Sequence, residues 1–194
     1  MRKILTSFII MFLILPLLSC NKDKYVMPYE PGVTIEGEEN FSEYKAKWNN
    51  ANLSNYTFTF TKDFRYDPTE NYVIDVTVSD GKVINCELKE YISQSKEDVS
   101  NEEWEENKNS FLSSHSDLDQ FLIDNIFESF ESQVKSVHEF YEKKSDCYYV
   151  NGTFRFSEKE PYITSFELET LLMIKDLDGN GSNVKFNISN FEKE

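Results

Sequence analysis

The chain has 194 residues, with 35 Asp plus Glu against 20 Lys plus Arg, a formal charge of −15, 39% hydrophobic residues and 15% aromatics. That content is too apolar and aromatic for a disordered chain, and the acidity excludes a nucleic-acid binder that works by neutralising phosphates. The length suits one globular domain able to bury its own core.

The first residues address the chain to a compartment. Arg2 and Lys3 form a basic start, and Ile4 to Leu18 is apolar apart from Thr6, Ser7 and Pro16. The run falls short of the ~20 residues that span a bilayer as a helix, and Asn21-Lys22-Asp23-Lys24 follows at once. Residues 1–19 therefore read as a secretory signal and not as a permanent membrane helix. Leu17-Leu18-Ser19-Cys20 resembles the bacterial lipobox. The resemblance implies cleavage before Cys20, diacylglycerol on its sulfur, and attachment to the membrane through that lipid; an ordinary secretory signal with a coincidental cysteine is the alternative. Two or three acyl chains anchor stably where one is marginal. Asn21 is not an aspartate-type inner-membrane retention signal, so outer-membrane placement is expected, with the periplasmic or surface face left open.

Cleavage removes two cations and takes the formal charge to −17. Cys86 and Cys147 are then left to pair. A disulfide between them would contribute roughly 4 kcal/mol on a chain-entropy model. A free buried thiol at Cys86 is the competing reading.

Residues 20–40, with Pro28, Pro31, Gly32 and Gly37, show neither apolar period and read as a lipidated cysteine and flexible tether, leaving 41–194 as a single domain. A short helix is expected from Phe41 to Asn50, where Phe41, Tyr44 and Trp48 share a face; core packing of Trp48 is favoured over binding. Strands come next. Tyr56, Phe58 and Phe60 alternate with threonines, Ile74, Val76 and Val78 with Asp75, Thr77 and Ser79, and Ile84, Cys86 and Leu88 with Asn85, Glu87 and Lys89. Such alternation marks an antiparallel sheet covered on one side. Asp80-Gly81 joins the second and third strands as a tight hairpin.

A weak helical stretch follows from Glu97 to Asn109, its glutamates reading as a solvated face. A strong amphipathic helix from Asp117 to Tyr141 places Leu118, Leu122, Ile126, Phe130, Val134 and Tyr141 mostly four apart. Strand alternation returns at Phe154 and Phe156, at Tyr162, Phe166 and Leu168, and at Val184, Phe186 and Ile188. The expected fold is α+β: a mainly antiparallel sheet of about six strands with one or two helices packed on one face.

This order of features resembles a family of bacterial exported and lipoprotein domains of unknown function. The matching pieces are Trp48 with Asn55-Tyr56-Thr57-Phe58, the hairpin Val76-Thr77-Val78-Ser79-Asp80-Gly81-Lys82-Val83, Ile123-Asp124-Asn125-Ile126-Phe127, and Phe186-Asn187-Ile188-Ser189-Asn190-Phe191. The resemblance implies an exported α+β domain and brings no activity. Members often carry a close cysteine pair after the first strand, where this chain has Lys62-Asp63-Phe64-Arg65.

Asp176-Leu177-Asp178-Gly179-Asn180-Gly181-Ser182 places oxygens at positions one, three and five and glycine at six of a calcium loop, because Ca²⁺ takes several hard oxygens around a tight turn. Position twelve is Asn187 where a bidentate glutamate is wanted. A polar hairpin loop is therefore favoured, with Asp176, Asp178 and Asn180 kept as ligands of a weak Ca²⁺ site. His115 and His138 lie in polar surroundings with no nucleophile beside them and read as solvated surface groups. The sequence thus suggests a non-enzymatic envelope module that binds an envelope protein or a small ligand through strand edges or exposed aromatics. The alternatives are a calcium-dependent module and, last, a hydrolase-type enzyme.

Overall fold

The computed structural model describes residues 32–65, 68–143, 148–172 and 181–193. They form an α+β fold with one sheet of eight strands and three helices. The strands are β1 (Gly32–Glu36), β2 (Tyr56–Phe64), β3 (Tyr72–Ser79), β4 (Lys82–Tyr91), β5 (Gln94–Ser95), β6 (Tyr148–Phe156), β7 (Ile163–Leu172) and β8 (Gly181–Lys193). Their order across the sheet is β1-β6-β7-β8-β2-β3-β4-β5. Every pairing is antiparallel except β1 with β6.

Two strands exceed the expected six. β1 lies inside the segment read as tether, with only Val33 and Ile35 to suggest alternation, and it pairs in parallel with Tyr149–Thr153. β5 is two residues long and pairs with Glu90 and Tyr91. The helices are α1 (Glu38–Ala51), α2 (Asn101–Ser114) and α3 (Ile123–Lys143), with a 3₁₀ turn at Leu118–Phe121.

Local chemistry explains the boundaries. Gly37 adopts φ +83°, which turns the chain from β1 into α1, and a Cβ built there would lie 2.7 Å from the Phe154 carbonyl oxygen. Ser100 caps α2 by accepting from the Glu103 amide at 3.2 Å. Asp80 and Gly81 have φ of 51° and 72°, the two positive values that a type I′ hairpin turn requires. The Asn55 side chain accepts from the Asp80 amide at 2.9 Å and the Ser54 carbonyl from the Gly81 amide at 2.9 Å, so the turn is pinned to the loop before β2.

One face of the sheet carries the core. Tyr56, Phe58 and Phe60 on β2 and Tyr72, Ile74, Val76 and Val78 on β3 are buried as their alternation predicts. From α1, Phe41 packs edge-on against Phe127 of α3 (5.5 Å between centroids) and Trp48 edge-on against Tyr56 (5.3 Å), so Trp48 is a core residue. From α3, Phe130 meets Phe166 at 4.7 Å and Phe186 at 5.0 Å. The opposite face carries a polar ladder, in which Thr59 Oγ1 donates to Asp75 Oδ1 at 2.7 Å and Lys89 pairs with Asp75 at 3.2 Å.

The register shifts at four places among the described residues, one of them at Lys89 of β4, between the pairs Val73–Glu90 and Ile74–Leu88. Val78 pairs with Val83 but Thr77 with Asn85, so Ile84 is an extra residue in β4. Expected on the apolar face, Ile84 is instead 63% exposed, and Val83 takes the inward place beside the core. In β8, Asn190 adopts φ 50° between the registers of Thr57 and Thr59, which carries Phe191 back to the core face three residues after Ile188. In β7 Thr164 is an extra residue, because Arg155 pairs with Ser165 but Phe156 with Ile163, and Ile163 and Phe166 are both buried; Tyr162, expected in this strand, sits just before it and stacks on Phe191 at 4.6 Å.

Candidate functional site

Where the 3₁₀ turn meets α3, a cleft of about 330 Å³ opens against the sheet. Its inner wall is aromatic, with Phe60 from β2, Tyr72 from β3, Phe186 from β8 and Phe130 from α3. Phe60 sits 5.9 Å from both Phe121 and Phe186, so the rings form one connected layer. Its mouth is polar, formed by Asp117, Gln120, Asn125 and Ser129.

The mouth is held by hydrogen bonds within its own segment. Asp117 caps the 3₁₀ turn, its Oδ1 accepting from the Asp119 amide at 3.1 Å. Gln120 Nε2 donates to the Asp117 carbonyl at 2.6 Å, and Asn125 Nδ2 donates to the Asp119 carbonyl at 2.7 Å. Asp119 Oδ1 accepts from the Val83 amide at 3.3 Å, which fastens the turn to β4. Leu122, with ψ 138°, separates the turn from α3. Its extended backbone resets the helix phase: the buried residues of α3 are Ile123, Ile126, Phe127, Phe130 and Val134. Leu118 and Leu122, expected on the buried stripe, are only partly buried.

His138 keeps a side chain 44% exposed, as expected of a surface group, whereas His115 does not. His115 is half-buried among aromatic rings, 4.4 Å from Phe111, 5.1 Å from Tyr72 and 5.7 Å from Phe121. Its Nδ1 donates to the Phe111 carbonyl at 3.0 Å, and burial pulls its pKa below the ordinary histidine value. The neutral ring is thus a packing element beside the cleft, which it does not line. His138 Nε2 lies 3.1 and 3.2 Å from the two carboxylate oxygens of Glu38 and ties α3 to the first turn of α1. Lys45 strengthens the same junction, meeting Glu128 at 2.7 Å and Glu131 at 2.6 Å.

Of the residues singled out in the sequence, Cys86 carries a free, half-buried thiol on β4 opposite Val76, and burial pushes it up to about 11. Cys20, Cys147, Asp176, Asp178 and Asn180 lie outside the described residues. Among the described residues no group of three or more His, Cys, Asp or Glu could hold a metal ion. Nor is any helix among them long and apolar enough to cross a membrane. Among the described residues the exposed large apolar side chains are Ile84, Leu112 and Phe140, on three different elements. The cleft itself escaped sequence reasoning, because Asp117, Gln120, Asn125 and Ser129 read as the polar side of a continuous helix. The signal available was the Ile123, Ile126, Phe127, Phe130 spacing, which starts the helix after Leu122.

Compared with family models, curated proteins and solved structures, the chain matches none.

Proposed function

We propose that the chain is an envelope lipoprotein, held by diacylglycerol at Cys20, whose folded body is a non-enzymatic module binding a small ligand in the cleft between the sheet and α3. The observation that carries the binding reading is the cleft: about 330 Å³, with an aromatic wall and a few convergent polar groups, within the size range of small-molecule sites. The non-enzymatic part is supported by the two histidines, which are engaged in packing and in a hydrogen bond to Glu38. The anchor is supported by Leu17-Leu18-Ser19-Cys20 after an apolar run with a basic start.

The anchor is tested by growing a bacterial host on labelled palmitate. Label should enter the full-length chain and be absent from Cys20→Ala; equal labelling of both would sink the lipid assignment. The binding reading is tested by screening small aromatic and aliphatic compounds for thermal stabilisation of the full chain and of Ser129→Trp, whose indole would occupy the mouth. Hits should stabilise the first and not the second.

A further inference from the structure

We infer that the cleft selects small organic cations, namely primary ammonium compounds with an aromatic or compact apolar body, an assignment that rests on the small-ligand reading of this cleft. The body is accounted for by the wall of Phe60, Tyr72, Phe130 and Phe186, whose rings line the inner side of the cleft.

The head group follows from which polar atoms at the mouth are spent. Gln120 and Asn125 each commit an amide N–H₂ to a backbone carbonyl, which fixes the orientation of the amide. Their carbonyl oxygens take no hydrogen bond from the described residues. Asp117 uses one carboxylate oxygen for the Asp119 amide and keeps the other. The mouth therefore presents acceptors to solvent that no described protein donor occupies, and an ammonium group brings three donors and no acceptor.

Charge points the same way. Asp117 lines the mouth, and Asp119 and Asp124 lie within the same eight residues of sequence. The N-terminus of α3 contributes the equivalent of only about +0.5 charge, so the carboxylates outweigh it. Lys62, whose Nζ lies 6.0 Å from the centre of the Tyr72 ring, is paired with Glu70. An anionic head group would meet the Asp117 carboxylate and lose its hydration without gaining a partner.

The test uses three fluorinated probes that share one body: 4-fluorophenethylammonium, 4-fluorophenylethanol and 4-fluorophenylacetate, each titrated by fluorine NMR against the full chain. The ammonium should bind about fivefold more tightly than the alcohol, the scale of one exposed ion pair, and the carboxylate weakest of the three. Asp117→Asn keeps a capping side chain and should lose that preference, the ammonium and the alcohol then binding alike. Equal affinities, or a preference for the carboxylate, would overturn the cation assignment and leave the cleft standing as a binding site. No binding by any probe, or binding that Ser129→Trp does not reduce, would instead overturn the small-ligand reading itself.

Discussion

The Tyr56 hydroxyl, on β2, accepts a hydrogen bond from the Ile123 amide, the first residue of α3, at 3.4 Å. The two residues are 67 apart in sequence. The bond satisfies one of the amides that every helix leaves without an intrahelical partner, and it joins the sheet to α3 beside the cleft. Tyr56→Phe leaves the ring packing intact and orphans that amide. The bond is long, so a loss of about 1 kcal/mol is expected, read as a fall of a few degrees in Tm with an unchanged circular dichroism spectrum.

Gly37→Ala should be far more damaging than Gly81→Ala. Both positions have positive φ, which costs a residue with a Cβ about 1–2 kcal/mol. At Gly37 the new methyl also meets the Phe154 carbonyl oxygen at 2.7 Å, whereas at Gly81 nothing lies within 4 Å. Urea denaturation should show at least about twice the loss at Gly37, because β1 and the start of α1 must shift to make room. Equal losses would mean that the approach of Gly37 to β6 is not tight.

Stability should fall at both ends of the pH scale for separate reasons. On the acid side, burial lowers the His115 pKa below its unfolded value of about 6.5. Its contribution is therefore complete above that value and is lost as pH falls through the folded pKa. His115→Phe retains a ring against Phe111 and should flatten the part of the Tm profile just below pH 6.5. On the alkaline side the Cys86 thiol is raised from 9.0 to about 11, so its contribution is complete below pH 9 and lost as pH rises through 11. Tyr56, raised by burial from 10.0 to about 12, adds a later loss. Cys86→Ala should remove the first alkaline step and leave the second.

Calcium provides a fourth test. If Asp176, Asp178 and Asn180 form a weak site, millimolar Ca²⁺ should raise the Tm of the full chain, and Asp176→Asn with Asp178→Asn should abolish the rise. Calorimetric titration without heat, together with an unmoved Tm, would leave the segment as a polar loop.

The legible parts of the fold were those governed by local rules. Period-two alternation placed Tyr56, Phe58 and Phe60, and Ile74, Val76 and Val78, on the core face, and Asp80-Gly81 declared its own turn. What stayed hidden depends on partners distant in sequence. Val33 and Ile35 make too short an alternation to reveal β1, which exists because β6, more than a hundred residues later, receives it. The bulges at Ile84 and Asn190 break the period that reading relies on, and neither residue type announces a bulge. His115 looks solvated beside Ser113, Ser114 and Ser116, and is buried because Tyr72 and Phe121 arrive from other elements. The cleft is hardest of all to foresee, as it is the space left where five segments meet.

The bulges in β4 also bear on how the protein behaves at high local concentration. β5 pairs with Glu90 and Tyr91, so among the described residues the outer edge of β4 from Lys82 to Lys89 has no neighbouring strand. A long, regular edge bearing an apolar side chain as exposed as Ile84 would template strand addition between copies. Register breaks lie on both sides of the β4 centre, between Val73 and Ile74 and between Thr77 and Val78, and Lys82 and Lys89 add charge. The edge is thereby twisted and interrupted, which guards against edge-to-edge pairing between copies in a concentrated solution.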